Sequence, residues 1–415
     1  MAVAPGFPAR RAALKMLDAV MRRGETLEQA EAAALKGVDS PADRALARAI
    51  VGETLRWLTD LDLLIDSSTK KRLPDDAKPR GVLRLMLAQA LRLDTPPHAV
   101  IATCLPLLTG GPRRLAHGVF STLMKREVSL PDVPTMSDAV LTRWGKRAEA
   151  IAPGLIDPPE VDLALKNPDE TDARTLDMGG VSLAAGHIRL PRGTPIEKMP
   201  GFDEGAWWVQ DFAAQLPSRL LGSGTGKRAL DLCAAPGGKT LSLAARGWTV
   251  TALDINGKRL EMLRENLKRT GIEAEIVKAD ALTYHPAKQF DAILLDAPCT
   301  ATGTCRRHPD VLHRIGPRQI GEMTEIQQSL IHQAVEWLPS GATFIYAVCS
   351  LETEESEDQA RWIEETFDLE PMPIAADELP AGLLPTMEGW LRTHPGMLAD
   401  QGGLDGFFIA RWRKP

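Results

Sequence analysis

Residues 228–240 read Arg-Ala-Leu-Asp-Leu-Cys-Ala-Ala-Pro-Gly-Gly-Lys-Thr, and they decide how this chain folds. Arg228–Cys233 is a short apolar run interrupted by Asp231. Pro236, Gly237 and Gly238 then form a turn, and helical spacing begins at Thr240. An apolar run, a Gly-rich break and a helix make one strand–turn–helix step. The step repeats downstream. Strands are expected at Trp248–Asp254, Ala274–Ala279, Phe290–Asp296, Gly341–Val348 and Gly406–Trp412, with helices over Gly257–Thr270 and near 318–338. Strands joined by helices imply a parallel, doubly wound sheet, which binds ligands beyond the carboxyl ends of its strands. The first five strands end in or next to reactive or charged residues: Cys233, Asp254, Asp280, Asp296 and Cys349.

Upstream the pattern changes. Residues 9–127 read as successive helices, among them one after Ser40-Pro41, an N-cap followed by proline at the first helical position. Prolines thicken from Ser129 to Pro159 around one expected helix, and 160–205 carry short β-like pieces at Val161–Leu165 and His187–Leu190. The expected partition is a helical domain over 1–130, a linker with a small α+β subdomain over 131–205, and the α/β domain over 206–415.

Composition bounds the class. The 415 residues suit two or three domains, and 44% hydrophobic with 25% charged residues is ordinary for a globular protein. No apolar run approaches the roughly 20 residues of a membrane helix; Val82–Leu93 is broken by Arg84 and Arg92. The N-terminus lacks the apolar core of a secretory signal. Five sparse cysteines fit a reducing cytoplasm rather than a disulfide scaffold. The net charge of −6 is uneven: residues 1–140 carry 20 basic against 16 acidic side chains, and the remainder 29 against 39. A basic N-terminal part allows a polyanion at that end. Arg10, Arg11, Arg22 and Arg23 are either a basic face for RNA or an ordinary solvated helix face.

Three ligands compete for the turn. A P-loop requires glycine where Cys233 stands, so only the Gly238-Lys239-Thr240 end matches. The G-x-G-x-x-G dinucleotide fingerprint is absent. A nucleoside without phosphates fits better. Cys233, Ala234, Ala235, Pro236, Gly237, Gly238 and Lys239 line the approach. Asp254, 23 residues after Asp231, has the spacing of a ribose-binding acid, and Asp280 is placed for an adenine amino group. A glycine pair alone is only a tight turn; with three acids at strand ends the set suits S-adenosylmethionine. Lys239 is open between capping its helix, the donor carboxylate and the substrate backbone.

Asp296-Ala-Pro-Cys299 follows the fourth strand and Cys349-Ser350 the fifth, so both cysteines belong to one sheet edge. No paired Cys/His spacing for zinc accompanies them, and no metal is expected. Two buried core thiols are the plain reading. The chemical reading is nucleophilic catalysis on cytosine: a thiolate adding to C6 makes C5 able to attack a methylsulfonium, and a carboxylate such as Asp296 binds the base's polar edge. Arg306, Arg307 and His308 follow on a loop expected at the pocket mouth, for RNA phosphates or solvent. Trp207 and Trp208 are expected in the core rather than stacked on a base.

The chain resembles the Sun/Fmu (RsmB-type) RNA cytosine-5 methyltransferases of the Nop2/Sun family. The resemblance rests on Cys233–Lys239, Asp296–Thr300, Gly303 with Arg306–Asp310, Cys349-Ser350, Val209–Asp211 and Asp405–Ala410. It implies a Rossmann-like class I methyltransferase domain using S-adenosylmethionine, with Cys349 as covalent nucleophile and Cys299 aiding product release. A DNA cytosine methylase would instead attack from Pro298-Cys299. Asp43-Arg44, Gly52 and Leu55-Arg56 resemble the NusB-like RNA-binding domain, giving an all-α N-terminal domain. Small-subunit (16S) ribosomal RNA is the implied substrate. Transfer RNA is the alternative, and a non-catalytic RNA-binding assembly factor is the contrasting class. A cytoplasmic monomer with no membrane association is expected. Two residues depart from the pattern: Val348 stands where threonine is usual, and Cys305, read as a spare thiol, where an apolar residue is common. Cys104 is expected in the helical core.

Overall fold

The computed structural model describes residues 5–415. They form two compact units: residues up to Ile156 with Arg307–Ile315, and Asp157–Arg306 with Gly316–Pro415.

The first unit is helical: α1 (Phe7–Arg23), α2 (Leu27–Ala34), α3 (Pro41–Arg56), α4 (Leu58–Asp66), α5 (Lys78–Arg92), α6 (Pro97–Cys104), α7 (Gly110–Lys125), α8 (Asp138–Trp144) and α9 (Arg147–Ile151). The caps are local. Ser40 Oγ accepts from Asp43 N at 3.2 Å ahead of Pro41, and Thr26 with Gln29 forms a capping box on α2. One core joins Trp57, Leu61, Met86, Phe120 and Cys104; another joins Met16, Leu17, Ile50 and Leu55. Cys104 is fully buried and receives Gln89 Nε2 at 3.1 Å. The single helix expected around Ser137–Ile151 is two, α8 and α9, because Gly145 at φ 53° ends the first.

The second unit opens with β1 (Val161–Leu165), α10 (Thr171–Met178), β2 (His187–Leu190) and β3 (Trp207–Val209); β1 lies between β2 and β3 in an antiparallel sheet. Asp162 ties this sheet to the next helix, α11 (Phe212–Leu220): it accepts from Arg189 Nε at 2.6 Å and from Phe212 N at 2.9 Å. The linker and the small α+β subdomain expected over 131–205 therefore fall in different units, and the subdomain extends past 205. Residues to Ile156 pack with the helices, while Val161 onward pairs with a strand beyond 205. Trp207 and Trp208 are buried in the cores behind this sheet.

The large sheet follows: β4 (Arg228–Leu232), α12 (Gly238–Ala245), β5 (Thr249–Asp254), α13 (Gly257–Thr270), β6 (Glu275–Lys278) and β7 (Ala292–Asp296). Residues 307–315 then belong to the first unit and include α14 (Val311–Arg314); His313 Nε2 lies 2.7 Å from Leu55 O there. The sheet resumes with α15 (Pro317–Trp337), β8 (Thr343–Val348), α16 (Glu357–Thr366), β9 (Glu370–Pro371), β10 (Leu391–Thr393) and β11 (Phe407–Arg413). Strand order is β10-β11-β8-β7-β4-β5-β6, with β9 paired to β11. From β8 to β6 all pairs are parallel. The last expected strand, β11, runs antiparallel to β8, so the sheet is mixed rather than wholly parallel. Apolar strands such as Ala292–Leu295 are buried on both faces, as central parallel strands must be.

Candidate active site

The chain leaves β4 toward β5 and β6 on one side and toward β7 and β8 on the other. The crevice where strand order reverses is the binding position of such sheets, and here it lies between the ends of β4 and β7.

The turn after β4 is shaped by its own backbone. Cys233 sits at φ 65°, Ala235–Pro236 is cis, and Gly237 sits at φ 110°. A Cβ on Gly237 would lie 2.3 Å from Leu263 Cδ1 of α13. Glycine is required here by conformation and by the helix behind it. Ala234 and Ala235 are buried, while Pro236 is exposed. Asp254, at the end of β5, accepts from Ala235 N at 3.0 Å and from Asn256 N at 2.7 Å. It thereby fastens the turn to the start of α13, and each oxygen keeps a further lone pair. Asp280 is exposed and accepts from Leu282 N at 3.0 Å. Beside these acids Ile255 is 65% and Leu282 47% exposed. Asp231 is fully buried under the turn. Its Oδ2 accepts from Thr240 Oγ1 at 2.5 Å, its Oδ1 has no partner, and burial pushes its carboxyl up to about 7. An orphaned carboxyl oxygen, strand-end acids with spare lone pairs and bare apolar side chains fit S-adenosylmethionine, which brings amino, ribose and adenine groups and no phosphate.

The two thiols come together. Cys299 Sγ and Cys349 Sγ lie 3.5 Å apart, at the ends of neighbouring strands β7 and β8, and both are half-buried. The Cys349 sulfur and then burial push the Cys299 thiol well above its ordinary value. Asp296 is fixed by Lys239 Nζ at 2.6 Å, and that ammonium also lies 4.9 Å from the Phe407 ring centroid. Lys239 therefore belongs to Asp296 in this geometry. Val348 is buried in β8.

Beneath the thiols is a residue that the motif reading missed. Glu355 is fully buried and accepts from Thr300 N at 2.8 Å, from Gln327 Nε2 at 3.1 Å and from the hydroxyls of Thr300 and Ser350. Thr300 follows Cys299 and Ser350 follows Cys349, so one carboxyl fastens both thiol-bearing loops. Its only sequence signal was an acid six residues after Cys349, inside Leu-Glu-Thr-Glu-Glu-Ser-Glu, which looks like a solvated helix start. Gly303 completes the junction. Its N donates to Cys349 O at 3.0 Å, and a Cβ there would lie 2.0 Å from Gly406 O.

The basic triplet is split. Arg306, expected to face RNA, is only 3% exposed. It donates to Gly402 O at 2.7 Å and pairs with Asp211 at 3.3 Å and Asp405 at 3.4 Å. A guanidinium occupied by two buried carboxylates is a structural clamp. Arg307 and His308 are exposed and lie in the segment that belongs to the helical unit. Cys305 is fully buried. Among the described residues no group of three or more His, Cys, Asp or Glu is arranged to hold a metal, and no helix is long and apolar enough to cross a membrane.

The geometry agrees with what the chain is similar to. The family described as 16S rRNA methyltransferase RsmB/F matches residues 219–413, and the NusB family matches residues 8–109. A ribosomal RNA small subunit methyltransferase B of Xanthomonas campestris is 32% identical over 403 residues, covering 90% of this chain and 91% of that protein. A protein of the same description from Pseudomonas putida is 32% identical, covering 97% of each. Among solved structures, a methyltransferase homolog protein from Pyrococcus horikoshii is 27% identical with a TM-score of 0.57, covering 67% of this chain and 94% of that one. With a NusB domain ahead of a mixed-sheet methyltransferase domain, and relatives matched over nine-tenths of their length, this chain belongs to the RsmB/F family of 16S rRNA methyltransferases.

Proposed function

We propose that the protein is an S-adenosylmethionine-dependent RNA cytosine-5 methyltransferase that works on 16S ribosomal RNA through a covalent adduct. The observation that carries this reading is the 3.5 Å pairing of Cys299 with Cys349 at the ends of β7 and β8, next to the turn after β4. S-adenosylmethionine supplies a methyl group on a sulfonium. Asp254 holds the ribose, Asp280 the adenine edge, and the turn from Cys233 to Gly238 the amino-acid end. Cytosine enters unpaired or extruded, and Asp296, fixed by Lys239, binds its polar edge. The Cys349 sulfur bonds to C6, and the C5–C6 electron pair takes the methyl group. S-adenosylhomocysteine is left after transfer; water takes the C5 proton, and the C5–H electron pair re-forms the C5–C6 double bond as the C6–S bond breaks. Cys299, held as a thiol, gives its proton to the departing Cys349 sulfur. Arg307 and His308 contact RNA phosphates, a role from which Arg306 is withdrawn by its two carboxylates.

Adduct trapping tests the reading. Wild type, Cys349→Ala and Cys299→Ala are incubated with S-adenosylmethionine and RNA from cells lacking the enzyme, then resolved on denaturing gels. The expected adduct requires Cys349 and accumulates in Cys299→Ala. An adduct that requires Cys299 reverses the two roles. Methylation confined to transfer RNA changes the substrate, and no transfer to any RNA favours a binding factor on a methylase fold.

A further inference from the structure

The arginines of α1 that suggested a basic face are mostly occupied. Arg10 is 7% exposed and donates to Gln89 Oε1 at 2.8 Å; Arg22 pairs with Asp18 at 3.1 Å and Arg23 with Glu25 at 2.5 Å. Arg11 and Lys15 stay exposed on α1 without an ion pair among the described residues, and a longer run of such charge lies on α7. Its sequence Gly-Gly-Pro-Arg-Arg-Leu-Ala-His-Gly-Val-Phe-Ser-Thr-Leu-Met-Lys contains no carboxylate. Ala116, Val119, Phe120 and Leu123 face the core. On the opposite side Arg113, Arg114, His117 and Lys125 are all exposed. At about 100° per residue these four fall within about 120° of arc and about 18 Å of helix. Among the described residues none of the four is in an ion pair. At the helix end Arg126 donates to Ser68 Oγ at 3.0 Å, beside exposed Lys70 and Lys71.

Arg113, Arg114 and Lys125 are permanent cations, and no acid on the helix offsets them. Arginine forks suit phosphate oxygens. The stripe carries no Phe, Tyr or Trp to stack on an unpaired base, so its chemistry fits the phosphate backbone, which positions RNA without reading its bases. We propose that the exposed stripe of α7 built from Arg113, Arg114, His117 and Lys125 docks the phosphate backbone of the RNA substrate. This rests on the reading above that the substrate is RNA.

The test uses the full chain and protein-free 16S rRNA from cells lacking the enzyme. Arg113→Ala/Arg114→Ala/Lys125→Ala is compared with wild type and with Arg22→Ala/Arg23→Ala, which removes charges already paired. Dissociation constants are measured by filter binding at several salt concentrations, alongside KM and kcat for methyl transfer. Each lost phosphate contact lowers the slope of log K against log salt by about 0.7–0.9. The triple variant is expected to lose about 2 from that slope and to bind at least about tenfold more weakly near 0.15 M salt, with the loss falling on KM. The α1 variant should track wild type. Equal slopes and affinities for wild type and the triple variant overturn the proposal. So does a loss seen only with assembled small subunits, which places the stripe against a ribosomal protein. If wild type itself methylates no RNA, the functional reading fails, and that result is separate from either outcome for the stripe.

Discussion

Replacing Glu355 by alanine should separate the two thiol-bearing loops. The carboxyl receives two amide donors, Thr300 N at 2.8 Å and Gln327 Nε2 at 3.1 Å, and two hydroxyls that can turn to other acceptors. The Ser350 hydroxyl already lies 3.3 Å from Thr302 Oγ1, so hydroxyls contribute little to the loss. The backbone N–H of Thr300 cannot turn, whereas Gln327 Nε2 keeps a second acceptor in Pro298 O at 2.9 Å. A buried donor left unsatisfied costs about 1–3 kcal/mol, which places Glu355→Ala at about 2–3 kcal/mol, most of it from the Thr300 N–H. Glu355→Gln keeps one acceptor for the amides and offers a donor to hydroxyls that can accept, so it should cost about 1 kcal/mol. Urea unfolding of both variants measures this, and the rate of adduct formation measures the thiol geometry. Alanine should slow the adduct strongly and glutamine should restore most of it. The two variants also differ in pH dependence. Burial holds the Glu355 carboxyl above its ordinary 4.5, so the native state binds more protons than the unfolded chain just above that pH. Wild type therefore loses stability as pH rises from 4.5 through the elevated value, and Glu355→Gln should lose this slope. Alanine and glutamine variants with equal stability and equal adduct rates would refute the reasoning.

Other expectations follow from the same geometry. Gly237→Ala, with φ 110° and a contact 2.3 Å from Leu263, should destabilise the catalytic unit by about 2 kcal/mol or more and abolish S-adenosylmethionine binding by calorimetry. Arg306→Ala leaves Asp211 and Asp405 buried without their guanidinium and should cost about 3–5 kcal/mol by urea unfolding; a silent substitution would show that Arg306 is not a clamp. Asp231, pushed up to about 7, makes the native state less stable as pH rises from 3.8 toward 7. Asp231→Asn should flatten that part of the profile, and an unchanged profile would contradict the burial argument.

The strand-end residues were legible because strand, turn and helix are each encoded within a few neighbours. Asp254, Asp296, Cys299 and Cys349 stand where the alternation ends, so their sharing of one sheet edge follows from connectivity alone. Periodicity says nothing of direction in the final pairing, and β11 runs antiparallel. It also says nothing of what a charged side chain meets. Arg306, Arg307 and His308 look alike in sequence, yet the first is enclosed by carboxylates from residues 211 and 405. Glu355 sits in an acidic run and is nevertheless fully buried.

By itself the sequence determined the two kinds of unit, the sheet edge that gathers the acids and thiols, and the Gly-rich turn between Asp231 and Thr240. These are short-range properties: hydrophobic period, turn residues, caps. Only the tertiary structure decided the 3.5 Å approach of the thiols, the carboxyl that fastens them and the withdrawal of Arg306. These contacts join residues 50, 55, 95 and 99 positions apart, and the energy of a charge is set by whichever partner folding brings beside it.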